Sequence, residues 1–425
     1  MRPASVKIER VVVVPTETAY YSDDQAAIRA GATQDGFLYL EAPVTPGFTS
    51  IRQPGAAASI LLVLSDGYVA HGDSAVVQYS GVAGREPLFR PAAIVAAVGD
   101  VEAEIVGADL QDFAGLMEWI EHPGLFPEAV ARAAAYGLSQ ALLDACAHAQ
   151  GVLMAHIVQD YLDRSGPLEA VPVFTQSGDD RWASVDRMVL KQADFLPHGL
   201  FNDVESKFGR KGGLFLDYVT WLHDRVGRVS TDPDYRPTFH FDLYGCAGDA
   251  FDRDTARMTD FFEQVVAAAH PYPLRIEHPL DAGDRAAQIT ELLALRTALR
   301  DRGLPIEIVA DEWCNTLDDI EAFVGAQAVD VIHVKTPDLG SIANAAKALS
   351  IAKAAGLVGY CGGTCNETER SAQISAHVAM AAGADEVLAK PGMGVDEGLM
   401  IVRNEMRRAV ALDRVLRPTD RSAGR

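Results

Sequence analysis

The sequence predicts an α/β protein: a (β/α)8 barrel preceded by an α+β N-terminal domain. Three observations carry that expectation. Beyond about Val171, short β-branched runs alternate with amphipathic helical patterns, and eight such runs fit within the roughly 220 residues of a barrel. Before that point strands come first and helices after, the order of a separate α+β unit. No glycine-rich loop of a doubly wound nucleotide-binding sheet follows an early strand. Cys361-Gly362-Gly363 and Gly392-Met393-Gly394 match neither GxGxxG nor a P-loop.

The elements follow in order. Residues 11–14 are a short apolar strand before Pro15. Residues 59–64 and 68–71 form a hairpin, because Asp66-Gly67 supplies the positive φ of a tight turn. Helical spacing of apolar residues predicts helices over 91–106, 110–121 and 127–150. The expected N-terminal capping domain is 1–165. The barrel is expected over 166–414, with a tail over 415–425 that frays from Pro418 onward. Its strands are VPVFTQ (171–176), DFLPH (194–198), TFHFDLY (238–244), LRIEHP (274–279), IEIVADE (306–312), DVIHVKT (330–336), LVGYCGGT (357–364) and EVLAKP (386–391). The gaps between them leave room for helices such as 252–269, 285–302, 341–355 and 371–382.

Composition excludes several classes. With 48% hydrophobic and 23% charged residues over 425 positions, the chain is not disordered as a whole. A net charge of −22 repels phosphate backbones, so no nucleic-acid partner is expected. No apolar run approaches the ~20 residues of a membrane span, and the N-terminal run is too short for a secretory leader. Five scattered cysteines make no disulfide framework and fit a reducing cytoplasm. Cys361 and Cys365 lack CxxC spacing, so buried thiols near a site are expected rather than a zinc centre.

The chemistry lies at the strand ends. In a barrel, catalytic groups sit where strands finish. Three successive strands finish in acids: Asp242, Glu277 and Asp311. Singly, each would be read as a helix N-cap. On neighbouring strands ~4.8 Å apart they converge, repel and call for a hard cation, Mg²⁺ or Mn²⁺. The next strand carries Lys335, with His333 two residues earlier on the same face. Only eight of the 37 basic residues are lysines, so a lysine here is informative. Lys335 is a candidate base, with an ion pair to Asp311 as the plainer alternative. Beside a bound metal its ammonium would be disfavoured and its pKa lowered. His198, ending the second strand, would place a second acid/base group across the barrel. His240 is expected in the core or behind a ligand, and Lys390 in a structural ion pair. Together these residues describe a metal-dependent enzyme that takes a proton from a carbon acid.

Several longer strings resemble one family. DDQAAIRAGATQDGFLY, VVQYSGVAGREPLF, VPVFTQSGDDR, ADFLPHGL, FHFDLYG, VADEWCNT, VKTPDLG, YCGGTCNET and LAKPGMGVDEG resemble the methylaspartate ammonia-lyases of the enolase superfamily over nearly the whole chain. The resemblance implies an enolase-superfamily barrel behind its capping domain. It puts the Mg²⁺ ligands on Asp242, Glu277 and Asp311. It makes Lys335 the base for L-threo-3-methylaspartate and His198 the acid/base opposite. Gln176, Thr364 and Cys365, the last through its backbone N–H, would bind substrate carboxylates. Gln78 would close over the substrate from the N-terminal domain. Phe174, Leu388 and Met393 would surround its methyl group. The implied reaction is loss of the C3 proton and of ammonia from C2, giving mesaconate, in glutamate breakdown. A K⁺ ion and a homodimer belong to the same expectation. Two positions depart: His333 stands where a glutamine is expected and would touch the substrate's amine end. His278 stands where glycine is usual and is expected to face the helices. A racemase, epimerase or cycloisomerase, a lyase for a related amino acid, and a barrel that has lost catalysis are the alternatives. Release of ammonia separates the first of these from the lyase reading, and the last should have lost a ligand or the base.

Overall fold

The computed structural model describes residues 6–79 and 85–416. The expected fraying of the C-terminal tail beyond 416 lies outside them. Strand β1 (Ile8–Asp23) leads to a small ribbon of β2 (Gln34–Asp35) and β3 (Leu38–Tyr39), then to β4 (Arg52–Leu64) and β5 (Val69–Ser74). β1, β4 and β5 form an antiparallel sheet in that order. The Asp66-Gly67 turn is present, with Gly67 at φ 90°. β1 is far longer than the four residues expected and runs through Pro15. It can do so because it is the sheet edge, where a missing N–H on the open side breaks no ladder.

The expected helix over 91–106 is interrupted at Val101 into Pro91–Asp100 and Glu102–Ile105, and the next shortens to Phe113–Ile120. The alanine-rich helix Ala131–Gln150 is buried on every side from Ala133 to Ala147. An all-round apolar helix must be covered all round. On one side lies β5, so close that a Cβ on Gly72 would meet the Gly137 carbonyl oxygen at 2.4 Å. On the other side lies the barrel. Ser139 Oγ accepts from the Ile342 amide (3.0 Å), and Tyr136 donates its hydroxyl to Glu367 (2.6 Å).

The eight barrel strands occur where the sequence put them: β6 (Val173–Phe174), β7 (Phe195–His198), β8 (Thr238–Asp242), β9 (Leu274–Glu277), β10 (Ile306–Ala310), β11 (Val331–Val334), β12 (Val358–Cys361) and β13 (Glu386–Leu388). They form a closed parallel barrel, with β13 paired back to β6. Most are shorter than expected because the residues after them leave the ladder to build the mouth. Helices Thr255–Ala269, Arg285–Asp301, Ile342–Ala354 and Glu369–Ala382 occupy the four predicted gaps. Ala183–Leu190, Gly213–Val229, Leu317–Ala326 and the terminal Val395–Leu416 complete the layer. Below the mouth, Phe174, Phe195, Val309, Val331, Tyr360 and Leu388 fill the interior. No single described helix is long and apolar enough to cross a membrane.

Candidate active site

Alternation along each strand builds the site. On β8, Phe239 and Phe241 enter the hydrophobic layer between strands and helices, which turns His240 and Asp242 inward. On β11, Ile332 and Val334 face outward and His333 inward, and the chain continues to Lys335. β7 breaks the pattern: His198, Gly199 and Leu200 all have positive φ (70°, 88° and 46°). That costly turn brings the His198 ring into the mouth. The acids are not helix N-caps. The capping side chains after β8, β9 and β10 are Asp254, Asp284 and Thr316.

A small, partly enclosed cavity of about 40 Å³ occupies the mouth. It brings together Gln78, Gln176, His198, Asp242, Glu277, Asp311, His333, Lys335, Thr364, Cys365 and Met393, from both parts of the chain. Phe174 and Leu388 do not line it. Both are fully buried in the layer beneath, where the Phe174 ring stacks on His240 at 4.2 Å. Tyr79, Tyr244 and Glu312 line the cavity and were not singled out in the sequence. Glu312 directly follows Asp311, and an acid doublet at a strand end was a usable signal. The tyrosines offered none.

Three carboxylates face one another here. Asp242 lies above the ordinary carboxylate range because burial and the neighbouring Glu277 carboxylate both disfavour its charge. Its Oδ2 is 3.4 Å from His198 Nε2. Burial also opposes the charge on Glu277, but imidazoles on both sides outweigh it and hold its pKa low. His333 Nδ1 lies 2.6 Å from Glu277 Oε1, and His240 Nε2 lies 2.9 Å from Oε2. His240 also meets Glu386 (3.3 Å), which is ion-paired to Arg275. Burial resists a charged His333, yet Glu277 and Asp311 raise its pKa to about 9. Lys335 is ion-paired to Asp311. Burial works against its ammonium, but the Asp311 and Glu312 carboxylates prevail and hold its pKa above the ordinary value. The lowered pKa expected beside a metal is thus not what these protein groups alone produce.

The donor set fits a divalent cation. Glu277, Asp311 and His333 offer ligand atoms within 4.8 Å of one another, and all three are buried. Asp242 lines the same cavity outside that tight group. Burial and the Glu277 carboxylate both raise its pKa, and a cation among the carboxylates would relieve the second of these.

The loop after β12 is held from below. Lys390, wholly buried, donates to Thr336 Oγ1 (2.8 Å), the Gly362 carbonyl (2.8 Å) and Glu367 Oε1 (2.9 Å). Glu367 Oε1 also accepts from the Thr364 amide at 3.0 Å. Lys390→Met should lower stability by about 3–5 kcal/mol in chemical denaturation, because it leaves Glu367 buried and uncompensated. Adding Glu367→Gln should recover part of the loss; strict additivity would show that the pair is not the cause.

The comparisons with known proteins agree along the chain. Family models described as the N-terminus and the C-terminus of methylaspartate ammonia-lyase match residues 6–163 and 167–415. The Clostridium tetanomorphum methylaspartate ammonia-lyase is 47% identical over 408 residues, 96% of this chain and 99% of that one. The chain belongs to the methylaspartate ammonia-lyase family. It is therefore a carbon–nitrogen lyase with the enolase-superfamily architecture. The magnesium complex of the C. tetanomorphum enzyme superposes with a TM-score of 0.91 at 46% identity, covering 97% of this chain and 100% of that one. The Citrobacter amalonaticus methylaspartate ammonia-lyase containing (2S,3S)-3-methylaspartic acid gives 0.93 at 45%, covering 96% and 99%. An L-Ala-D/L-Glu epimerase from Bacillus subtilis shares the fold alone, with a TM-score of 0.64 at 15% identity over 93% of this chain and 91% of that one. His278 has φ 46°, a backbone better suited to glycine, and its Nδ1 accepts from the Glu312 amide (3.3 Å) beside the site.

Proposed function

We propose that this chain eliminates ammonia from L-threo-3-methylaspartate to give mesaconate. The observation that carries the proposal, beyond family membership, is the placement of Lys335 and His198. Lys335 follows β11 and His198 ends β7, and these strands stand opposite each other in the closed ring of eight. A substrate in the cavity would lie between two proton-handling groups. Lys335 would take the C3 proton on one face. His198 would serve the other face, where the amine leaves or the epimeric proton is handled. Asp242, Glu277 and Asp311 would hold Mg²⁺, with Mn²⁺ as a substitute. Bound there, the cation supplies Lewis acidity toward a substrate carboxylate. With Asp311 engaged as a ligand, one of the two carboxylates that hold Lys335 protonated would be drawn away, and burial would weigh more toward the neutral amine.

Gln176, Thr364 and the Cys365 backbone would receive the substrate carboxylates, with Met393 against the methyl group. Phe174 and Leu388 would act from beneath by setting the depth of the floor. Gln78 would close the cavity from the cap. Its Oε1 accepts from the Cys365 thiol at 2.7 Å. Burial keeps that thiol protonated, so it remains a donor. Cys365→Ala should raise KM by about 3- to 10-fold and change kcat less, because it frees Gln78 without touching the base. An unchanged KM would show that the thiol does not position Gln78. The working assembly is proposed to be a cytoplasmic homodimer, with residues 1–165 as cap and 166–414 as barrel; K⁺ is a further candidate ligand.

The test is an ultraviolet assay with L-threo-3-methylaspartate, with and without Mg²⁺, following the conjugated diacid and free ammonia together. Both products, dependent on Mg²⁺, are expected. A folded, Mg²⁺-binding protein that forms neither would overturn the proposal. His333→Gln should shift relative rates among substituted amines by more than about threefold. Unchanged ratios across that series would show that His333 is a bystander.

A further inference from the structure

Arg85 lies on the cap side of the mouth, and more than nine-tenths of its surface is buried. Its Nε donates to Asp338 Oδ2 at 2.8 Å. Its Nη2 lies 2.8 Å from Glu312 Oε2 and 3.3 Å from Asn315 Oδ1. These partners sit on two different barrel loops. Glu312 and Asn315 follow β10, and Asp338 follows β11. Both loops bear on Lys335. The Asp338 amide donates to the Lys335 carbonyl at 3.0 Å, which fixes the backbone at the base. Glu312 Oε1 lies 3.7 Å from Lys335 Nζ, a second carboxylate beside its Asp311 partner that confines the side-chain tip. A flexible four-carbon side chain needs such confinement if its nitrogen is to meet one proton in one direction.

We propose that Arg85 is a positioning residue for Lys335. By clamping Glu312 and Asp338 it fixes the backbone and the tip of the base together, and makes that geometry depend on the docked cap. The planar guanidinium suits the task, because its fork reaches two carboxylates at fixed angles while a lysine reaches them as a point charge. The proposal rests on the reading of Lys335 as the base of the lyase reaction. Gln78, five residues after Asp73 on the same cap segment, holds the loop after β12 through Cys365 and serves as an internal comparison.

The experiment measures kcat, KM and the primary deuterium isotope effect on kcat/KM with substrate deuterated at C3. It compares the unaltered chain with Arg85→Gln, Arg85→Lys and Gln78→Ala. In Arg85→Gln, kcat should fall about 10- to 100-fold, as expected when a reacting group is displaced by about 1 Å. KM should change by less than about threefold, because the substrate contacts stay in place. The isotope effect should rise, since proton removal becomes more fully rate-limiting. Arg85→Lys should restore only part of kcat, and added guanidinium should restore part of it in Arg85→Gln. Gln78→Ala should instead raise KM with little change in the isotope effect. A rise in KM with an unchanged isotope effect in Arg85→Gln would overturn the proposal and leave Arg85 as a plain clasp of the cap. An unchanged kcat would overturn it as well. If Arg85→Gln does not fold, Glu312→Gln decides the matter. It keeps the Arg85–Asp338 pair and the side-chain volume, and must show the same rise in isotope effect. Absence of product with the unaltered chain would instead remove the lyase reading itself.

Discussion

Lys335→Ala should abolish measurable elimination of ammonia, with kcat down by at least about 10³-fold, the upper part of the range for general base catalysis. The protein should still fold, because the cavity it enlarges lies at the mouth and not among the side chains of the barrel interior. Divalent-cation affinity should rise. In the unaltered protein the ammonium is ion-paired to Asp311, so ammonium and metal compete for one carboxylate. Removing the ammonium leaves Asp311 to the metal, and charge repulsion between Lys335 and the cation disappears as well. The measurement is turnover together with isothermal titration of Mg²⁺. Activity within tenfold of the unaltered protein would end the assignment of Lys335 as base. Weaker Mg²⁺ binding would instead mean that the lysine organises the carboxylates and does not compete with the metal.

Asp311→Ala should remove the response to the metal along with catalysis. In thermal unfolding, a ligand at a hundred times its dissociation constant adds about 2.7 kcal/mol to the native state. That increment should appear with the unaltered protein in Mg²⁺ and vanish in the variant. Without metal, the variant should also be less stable by about 3–5 kcal/mol, the usual cost of leaving one member of a buried ion pair alone. Here the stranded groups are Lys335 and, at 3.4 Å, His333. A variant whose melting point still climbs with Mg²⁺ would show that the cation is held elsewhere. The group Glu277 and His333 with Asp242 would then be the next place to look.

Much of this architecture is legible in the sequence for a plain reason. Barrel strands buried on both faces are short β-branched runs, and each ends in the residue that faces the mouth. Asp242, Glu277, Asp311 and Lys335 could therefore be aligned by counting along the chain. What could not be counted is depth. Alternation turns Phe174 and Leu388 inward, but the stagger of the barrel decides that they fall below the cavity. Backbone turns were equally hidden. Tyr244, two residues after Asp242, itself sits at φ 47°, and no local pattern announces that its ring will return to the site. Arg85 illustrates a third limit. Its partners lie more than 220 residues away, and a single arginine between a strand and a helix carries no sign of them. In the sequence Pro15 reads as the end of a strand, but β1 runs through it because an edge strand can absorb a proline.

The ring of strands has a seam, and its place matters for how the chain is made. β6 and β13 pair through Val173–Val387 and Phe174–Leu388, so the first barrel strand waits for the last. During synthesis the cap sheet and its helix emerge first, at about 5–20 residues per second. The barrel-facing side of the helix Ala131–Gln150 then has no cover until the loops carrying Ile342 and Glu367 leave the ribosome. The nascent chain therefore displays an apolar, alanine-rich helix face for on the order of ten seconds or more. Chains truncated before Leu388 should bind trigger-type or Hsp70-type holdases, whereas the full-length chain should release them. The pairing of β6 with β13 is then the last barrel contact that synthesis allows the chain to make.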